Sequence, residues 1–106
     1  MKNNDSEIYQ ENTTDGIKFV IKGRLNSDNS DGLHDLLQKA LNDGHKNIIL
    51  NMLQVDFLSS AGIRVLLRAY QEAKDAGGNF GIEMPSKRVK NVLGMTALDE
   101  LLFKKS

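Results

Sequence analysis

Two adjacent serines, Ser59-Ser60, followed by the small pair Ala61-Gly62, are the residues of this chain best placed to do chemistry. They fall where an apolar run ends and a helical pattern begins, which is a strand-to-helix loop. Serine leads among helix N-caps because its hydroxyl satisfies an unpaired N–H of the first turn, so one of the two reads as a cap. The same place presents free N–H groups and a partial positive charge, so a phosphoryl group attached there would be tolerated. A small, neutral loop at the C-terminal end of a parallel strand also lets a partner dock flatly. Arg64 lies at i+4 from Ser60, with Arg68 one turn further, on the face opposite the apolar stripe. The pair reads as a solvated charged face with Arg68 near Glu72, or as a basic ridge able to hold a phosphate on Ser60 or an acidic partner residue.

Other chemistry is thinner. The chain has no phosphate-binding Gly-x-x-x-x-Gly-Lys-Ser/Thr, no Gly-x-Gly-x-x-Gly after its first buried strand and no Gly-x-Ser-x-Gly elbow. Its two histidines, His34 on the first helix and His45 beside a loop glycine, read as surface residues rather than ligands or bases. Asp28, Asp31 and Asp35 cluster at a helix start, where acids and amides ordinarily serve as caps and dipole partners. No metal and no cofactor are expected. With no cysteine, disulfides, thiolate metal sites and cysteine nucleophiles are excluded.

The elements that must position Ser59 and Ser60 follow from turn signals and periodicity. Ile8 to Glu11 and Ile17 to Lys22 flank Thr13-Thr14-Asp15-Gly16, a hairpin signal. Ile17, Phe19 and Ile21 alternate with lysines as a half-buried strand does, and Val20 suggests that the other face is partly covered too. After Asn26-Ser27-Asp28-Asn29-Ser30, Leu33, Leu36, Leu37, Ala40 and Leu41 mark one face of a helix that stops at Asn42-Asp43-Gly44. Ile48-Ile49-Leu50 reads as a strand buried on both faces. A second helix carries Ile63, Leu66, Leu67, Tyr70 and Ala73 and stops at Gly77-Gly78. Phe80 to Met84 reads as a strand ended by Pro85, Ser86 starts a third helix with Val89, Val92 and Leu93, and Ala97 to Phe103 is either a helical turn or a short strand. The expected class is α/β: an N-terminal hairpin, then alternating helices and strands around a mixed, centrally parallel sheet.

Composition sets the outer bounds. The 106 residues are 40% apolar and 26% charged, enough for one domain spanning 1–106 with a core of its own, the first six residues being disordered. Fourteen basic and fourteen acidic residues give a formal net charge of zero, which argues against nucleic acid or an anionic membrane as partner. The polar start has no signal-peptide core, and no apolar run approaches the ~18 residues of a membrane span. A monomer in the cytoplasm is expected.

The run Val55-Asp56-Phe57-Leu58-Ser59-Ser60-Ala61-Gly62-Ile63-Arg64-Val65-Leu66-Leu67 resembles the signature of STAS domains, specifically bacterial anti-sigma factor antagonists. Gly23-Arg24-Leu25-Asn26, Ile48-Ile49-Leu50-Asn51, Gly77-Gly78 and Pro85-Ser86 to Leu98 extend the resemblance over nearly the whole chain. It implies a STAS-like fold and a phosphoacceptor two residues before the glycine, which is Ser60, with Ser59 as second choice. It also implies a surface of Asn26, Ser27, Ser59, Ser60, Ala61, Gly62, Arg64 and Arg68 that binds an anti-sigma factor serine kinase. Phosphorylation would end that binding and a PP2C-type phosphatase would restore it, leaving the protein a substrate and ligand, not an enzyme. Ser59 stands where the family commonly has Asp, Asn26 replaces a loop Asp and Arg64 occupies a position that is frequently Gly. Arg64 is therefore expected to neutralise a phosphate on Ser60 partly or to select an acidic patch on the kinase.

Three other readings compete. A STAS module of a transporter or larger signalling complex would never be phosphorylated. A nucleotide-binding domain would use helix N-termini but lacks the glycine-rich loop. An esterase-like enzyme using Ser60 lacks a partnered histidine visible in the sequence.

Overall fold

The computed structural model describes residues 5–103. Along the chain these form β1 (Ser6–Asn12), β2 (Ile17–Leu25), α1 (Ser30–Asn42), β3 (Asn47–Leu58), α2 (Ser60–Asp75), β4 (Asn79–Glu83), α3 (Lys87–Met95) and α4 (Asp99–Leu102). The sheet order is β1-β2-β3-β4, with β1 antiparallel to β2 and the other pairs parallel, so the expected hairpin and parallel centre are both present.

The hairpin closes through Thr13 to Gly16, with the Thr13 N–H donating to the Gly16 carbonyl at 3.0 Å. Gly16 is required there by a close approach: a Cβ would stand 2.1 Å from the carbonyl oxygen of Asn47. α1 and α2 end on left-handed Gly44 and Gly77, whose following N–H groups reach back to Ala40 and Ala73 as helix-terminating motifs do.

Alternation along the strands buries one sheet face. Ile17, Phe19 and Ile21 of β2 face Ile48 and Leu50 of β3 and Phe80 and Ile82 of β4, and join Leu33, Leu37, Leu66, Ala69, Val89 and Leu93 from the helices in one core. On the other face Val20 and Ile49 are only half-buried, and Lys18 pairs with Glu83 across it at 2.9 Å. Ile48 to Leu50 is thus not buried on both faces, because the helical side chains of the core gather against one side of the sheet only.

The helices bury wider arcs than their large apolar residues outline. In α2 the buried positions are Gly62, Val65, Leu66, Ala69 and Ala73, with Ile63, Leu67 and Tyr70 half-buried at the flank. Small residues occupy the line of closest approach, where a large side chain would hold the helix off. Ala97 to Phe103 is both things at once: α4 forms one turn, and Phe103 makes a parallel bridge to Ile82.

At the N-terminus, Asp5 and Ser6 are placed rather than disordered. Ser6 is buried at the start of β1, and the Asp5 carbonyl accepts from the Arg24 N–H at 2.8 Å. Residues 1–4 of the segment expected to be disordered lie outside the described residues.

Candidate functional site

The ends of β2 and β3 converge at the expected loops. The Ser59 N–H donates to the Leu25 carbonyl at 2.9 Å, which seats the β3–α2 loop beside the β2–α1 loop that carries Asn26 and Ser27. α2 can begin this close only because residue 62 is glycine: a Cβ there would lie 2.8 Å from Leu58 Cδ1 and 3.3 Å from Leu25 Cβ. The signature glycine is therefore a packing requirement of the loop.

The two serines have different environments. Ser59 is the N-cap of α2, in extended backbone conformation, and its Oγ accepts from the Gly62 N–H at 3.1 Å. Ser60 is the first helical residue, exposed, and its hydroxyl has no hydrogen-bond partner among the described residues. Capping and availability thus fall on neighbouring residues. Ala61 is half-buried and Gly62 buried, so the loop offers a low profile around the Ser60 hydroxyl.

Asn26 is committed to its own loop. Its Oδ1 accepts from the N–H groups of Asp28 (3.0 Å) and Asn29 (3.2 Å), and its Nδ2 donates to Asp5 Oδ2 at 2.7 Å. Its N–H donates to Asn29 Oδ1 at 3.0 Å, and the buried Asn29 in turn donates to the Ser6 hydroxyl and the Arg24 carbonyl. The side chain shapes the surface from below, while Ser27 is exposed beside it.

Arg64 and Arg68 are both exposed, as their spacing implied. Arg68 does not meet Glu72. That carboxylate is taken by His34, whose Nε2 lies 2.9 Å from Oε1, and by Gln38 Nε2 at 3.4 Å. His34 is accordingly not a surface residue: it is 8% exposed, packed where α1 meets α2. A polar position on one helix became buried because a second helix supplied its partner.

Sequence reasoning passed over Arg24. A register shift between Gly23 and Arg24 pairs it with Phe57, and its guanidinium carbon stands 4.2 Å from that ring's centroid. The extra residue of the shift is Asp56 on β3, while the left-handed Gly23 before Arg24, at φ 98°, leaves room for the Asp5 carbonyl oxygen, which would stand 2.3 Å from a Cβ there.

Neither histidine can serve Ser60 as a base. His34 is engaged with Glu72, twelve residues or roughly 18 Å along α2 at ~1.5 Å per residue. His45 follows the end of α1 and precedes β3, at the opposite end of the strand from Ser60. Among the described residues no three histidines or carboxylates gather as metal ligands, so Asp28, Asp31 and Asp35 do not form such a group. No helix of the described residues is long and apolar enough to cross a membrane.

Comparison with known proteins bears on the fold and on the family. A protein of Bordetella bronchiseptica named as an anti-sigma factor antagonist, BtrV, is 29% identical over 67 residues, covering 62% of this chain and 58% of that protein, less than two thirds of its length. Among solved structures, an anti-sigma factor antagonist from Mycobacterium paratuberculosis superposes with a TM-score of 0.82 at 17% identity, covering 94% of this chain and 86% of that one. The anti-sigma factor antagonist SpoIIAA in its unphosphorylated form gives 0.80 at 20% identity over 94% and 89%. Its phosphorylated form, described as a Bacillus cell fate determinant, gives 0.74 at 19% over 94% and 92%. At these identities the structures speak for the fold. The family model for the STAS domain matches residues 8–106, and the chain belongs to that family.

Proposed function

We propose that this protein is an anti-sigma factor antagonist that works by partner switching. In its unphosphorylated form the loop around Ser60 docks on an anti-sigma factor that is also a serine kinase, and so frees that factor's target. Phosphorylation of Ser60 ends the binding and a PP2C-type phosphatase restores it, all within the cytoplasm. The observation that carries this reading is the division of labour between the serines: Ser59 holds the helix cap, leaving the Ser60 hydroxyl exposed and unengaged. The names of the BtrV and SpoIIAA relatives support the partner class.

The physics is sufficient for a switch without a change of fold. A phosphoryl group on Ser60 would sit at the start of α2, where unpaired N–H groups and the helix dipole stabilise negative charge. It adds about −1.5 to −2 charges at neutral pH. In a docked, partly desolvated surface such a charge costs about 2–5 kcal/mol, roughly 30- to 4,000-fold in affinity. Arg64, one turn along α2, either offsets part of that charge or chooses an acidic patch on the kinase.

The test is capture from lysate on wild-type, Ser60→Ala and Ser60→Asp protein, with phosphosite mapping by mass spectrometry. A kinase-type partner held by wild type and Ser60→Ala but lost with Ser60→Asp supports the switch. The same partner on all three, with no phosphate on Ser60, would make the protein a constitutive STAS interaction module.

A further inference from the structure

Toward its C-terminal end the sheet loses a strand. β4 stops pairing with β3 at Glu83, opposite Asn51, while β3 runs on to Leu58. The chain turns at Met84 and Pro85, and α3 returns with its cap against β3. There the Ser86 N–H donates to the Met52 carbonyl at 3.2 Å and the Ser86 hydroxyl to the Val55 carbonyl at 2.6 Å. A groove of about 520 Å³ remains, with Leu53, Val55 and Asp56 on one wall and Ser86, Lys87 and Arg88 on the other.

Two features of this groove work against the fold. The first turn of α3 carries Lys87 and Arg88 and no acid, although a helix N-terminus favours acids. Neither cation meets a carboxylate among the described residues, whose ion pairs lie elsewhere. Leu53 on the groove wall and Met84, which follows the end of β4 outside the groove lining, are 51% and 53% exposed. Asn51 joins them, accepting from the Leu53 N–H at 3.1 Å and placing Nδ2 3.9 Å from Met84 Sδ. Met84 also holds φ 49°, a left-handed conformation that is strained for a residue with a side chain and that concentrates at binding surfaces.

We propose that this groove receives an acidic segment with an apolar anchor, presented by the same partner that covers Ser60; the inference rests on the docking reading above. Charge complementarity selects the occupant, because Lys87 and Arg88 outnumber Asp56, the one acid of the groove. The apolar anchor covers Leu53 and Met84. Val55 and Ser60 are five residues apart, roughly 16 Å at ~3.3 Å per strand residue. One side of a standard interface, about 800 Å², is wide enough to include both.

Two titrations on the full chain test this. An acetylated, amidated peptide Asp-Glu-Leu-Leu-Glu-Asp is added to isotope-labelled protein and followed by amide chemical shifts, with Lys-Lys-Leu-Leu-Lys-Lys as control. The acidic peptide should move the amides of residues 53–56 and 86–91, and the control should not. The double variant Lys87→Glu/Arg88→Glu should lose about tenfold or more in affinity, both for the acidic peptide and for the partner captured on wild type. It should melt no lower than wild type, since acids suit the first turn of a helix. Shifts absent from the groove, equal binding of the control, or a partner indifferent to the double variant each overturn the proposal. If that partner still responds to Ser60→Asp, only the groove falls; if wild type captures no partner, the docking reading falls and the groove proposal with it.

Discussion

The backbone N–H of Ser59 donates to the carbonyl oxygen of Leu25 at 2.9 Å, and this bond joins the two loops of the candidate surface. Leu25 ends β2 and Ser59 caps α2, so the bond ties a strand end, a helix start and the Asn26 turn into one unit. The surface that would meet a partner is therefore held by backbone geometry, and the Ser60 hydroxyl can change its chemistry without carrying structural load.

That separation predicts opposite behaviour for the two serines. Ser59→Ala removes the cap bond to Gly62 and should cost about 1 kcal/mol. Ser60→Ala should stay within about 0.5 kcal/mol of wild type. In thermal melts the first should lower Tm by roughly 4–8 °C, given ~1 kcal/mol in a domain of this size. Equal effects from the two would mean that Ser60 shares the cap.

Asn26→Asp, the change toward the family's common residue, should destabilise this chain. The Nδ2 that donates to Asp5 at 2.7 Å would become an oxygen facing a carboxylate. Losing that bond and adding like charge should cost about 1–2 kcal/mol at neutral pH. Adding Asp5→Asn should recover most of it. Urea midpoints of the two single variants and the double variant measure the coupling; additive losses would show that the two side chains do not interact.

The His34–Glu72 contact should act as a clamp between α1 and α2. Glu72→Ala leaves a nearly buried imidazole nitrogen without its partner, at a cost of about 1–3 kcal/mol. His34→Ala and the double variant complete a cycle whose interaction energy should fall within about 0.5–3 kcal/mol. An interaction energy near zero would assign the loss to packing alone.

Lys18 titrates above the ordinary lysine value because Glu83 hydrogen-bonds its ammonium and attracts its charge. A raised folded value means the stabilisation is fully present below the unfolded lysine pKa, about 10.4, and is lost as pH rises through the higher folded value. The pair lies on a partly open sheet face, so about 0.5–1 kcal/mol is expected. The difference between wild type and Lys18→Met in urea midpoint should be constant from neutral pH to about 10 and shrink beyond it. A difference that grows above pH ~10 would contradict the pairing.

Much of the architecture was legible because it depends on local order. Alternation in Ile17 to Ile21, left-handed glycines at helix ends and small residues at a strand-to-helix junction are each settled within a few positions. Expectations failed where a neighbour distant in sequence decided the outcome. α1 alone offers His34 no partner, so its exposure is the local expectation; Glu72, which buries it, lies thirty-eight residues away. An apolar run predicts burial for Ile49 but does not say which sheet face the helices cover. The polar start predicts disorder for Asp5 and Ser6, whose bonds to Arg24 and Asn29 form only across a hairpin.

The element order, the parallel centre and the place of the Ser59-Ser60 loop follow from periodicity, turn chemistry and the glycine two residues on, all of which are local to the chain. Which hydroxyl is free, why residue 62 must lack a Cβ, and that a cation-lined groove opens where β3 outruns β4 are outcomes of packing. Those outcomes depend on which backbones pass within contact distance, and the chain acquires that information only by folding.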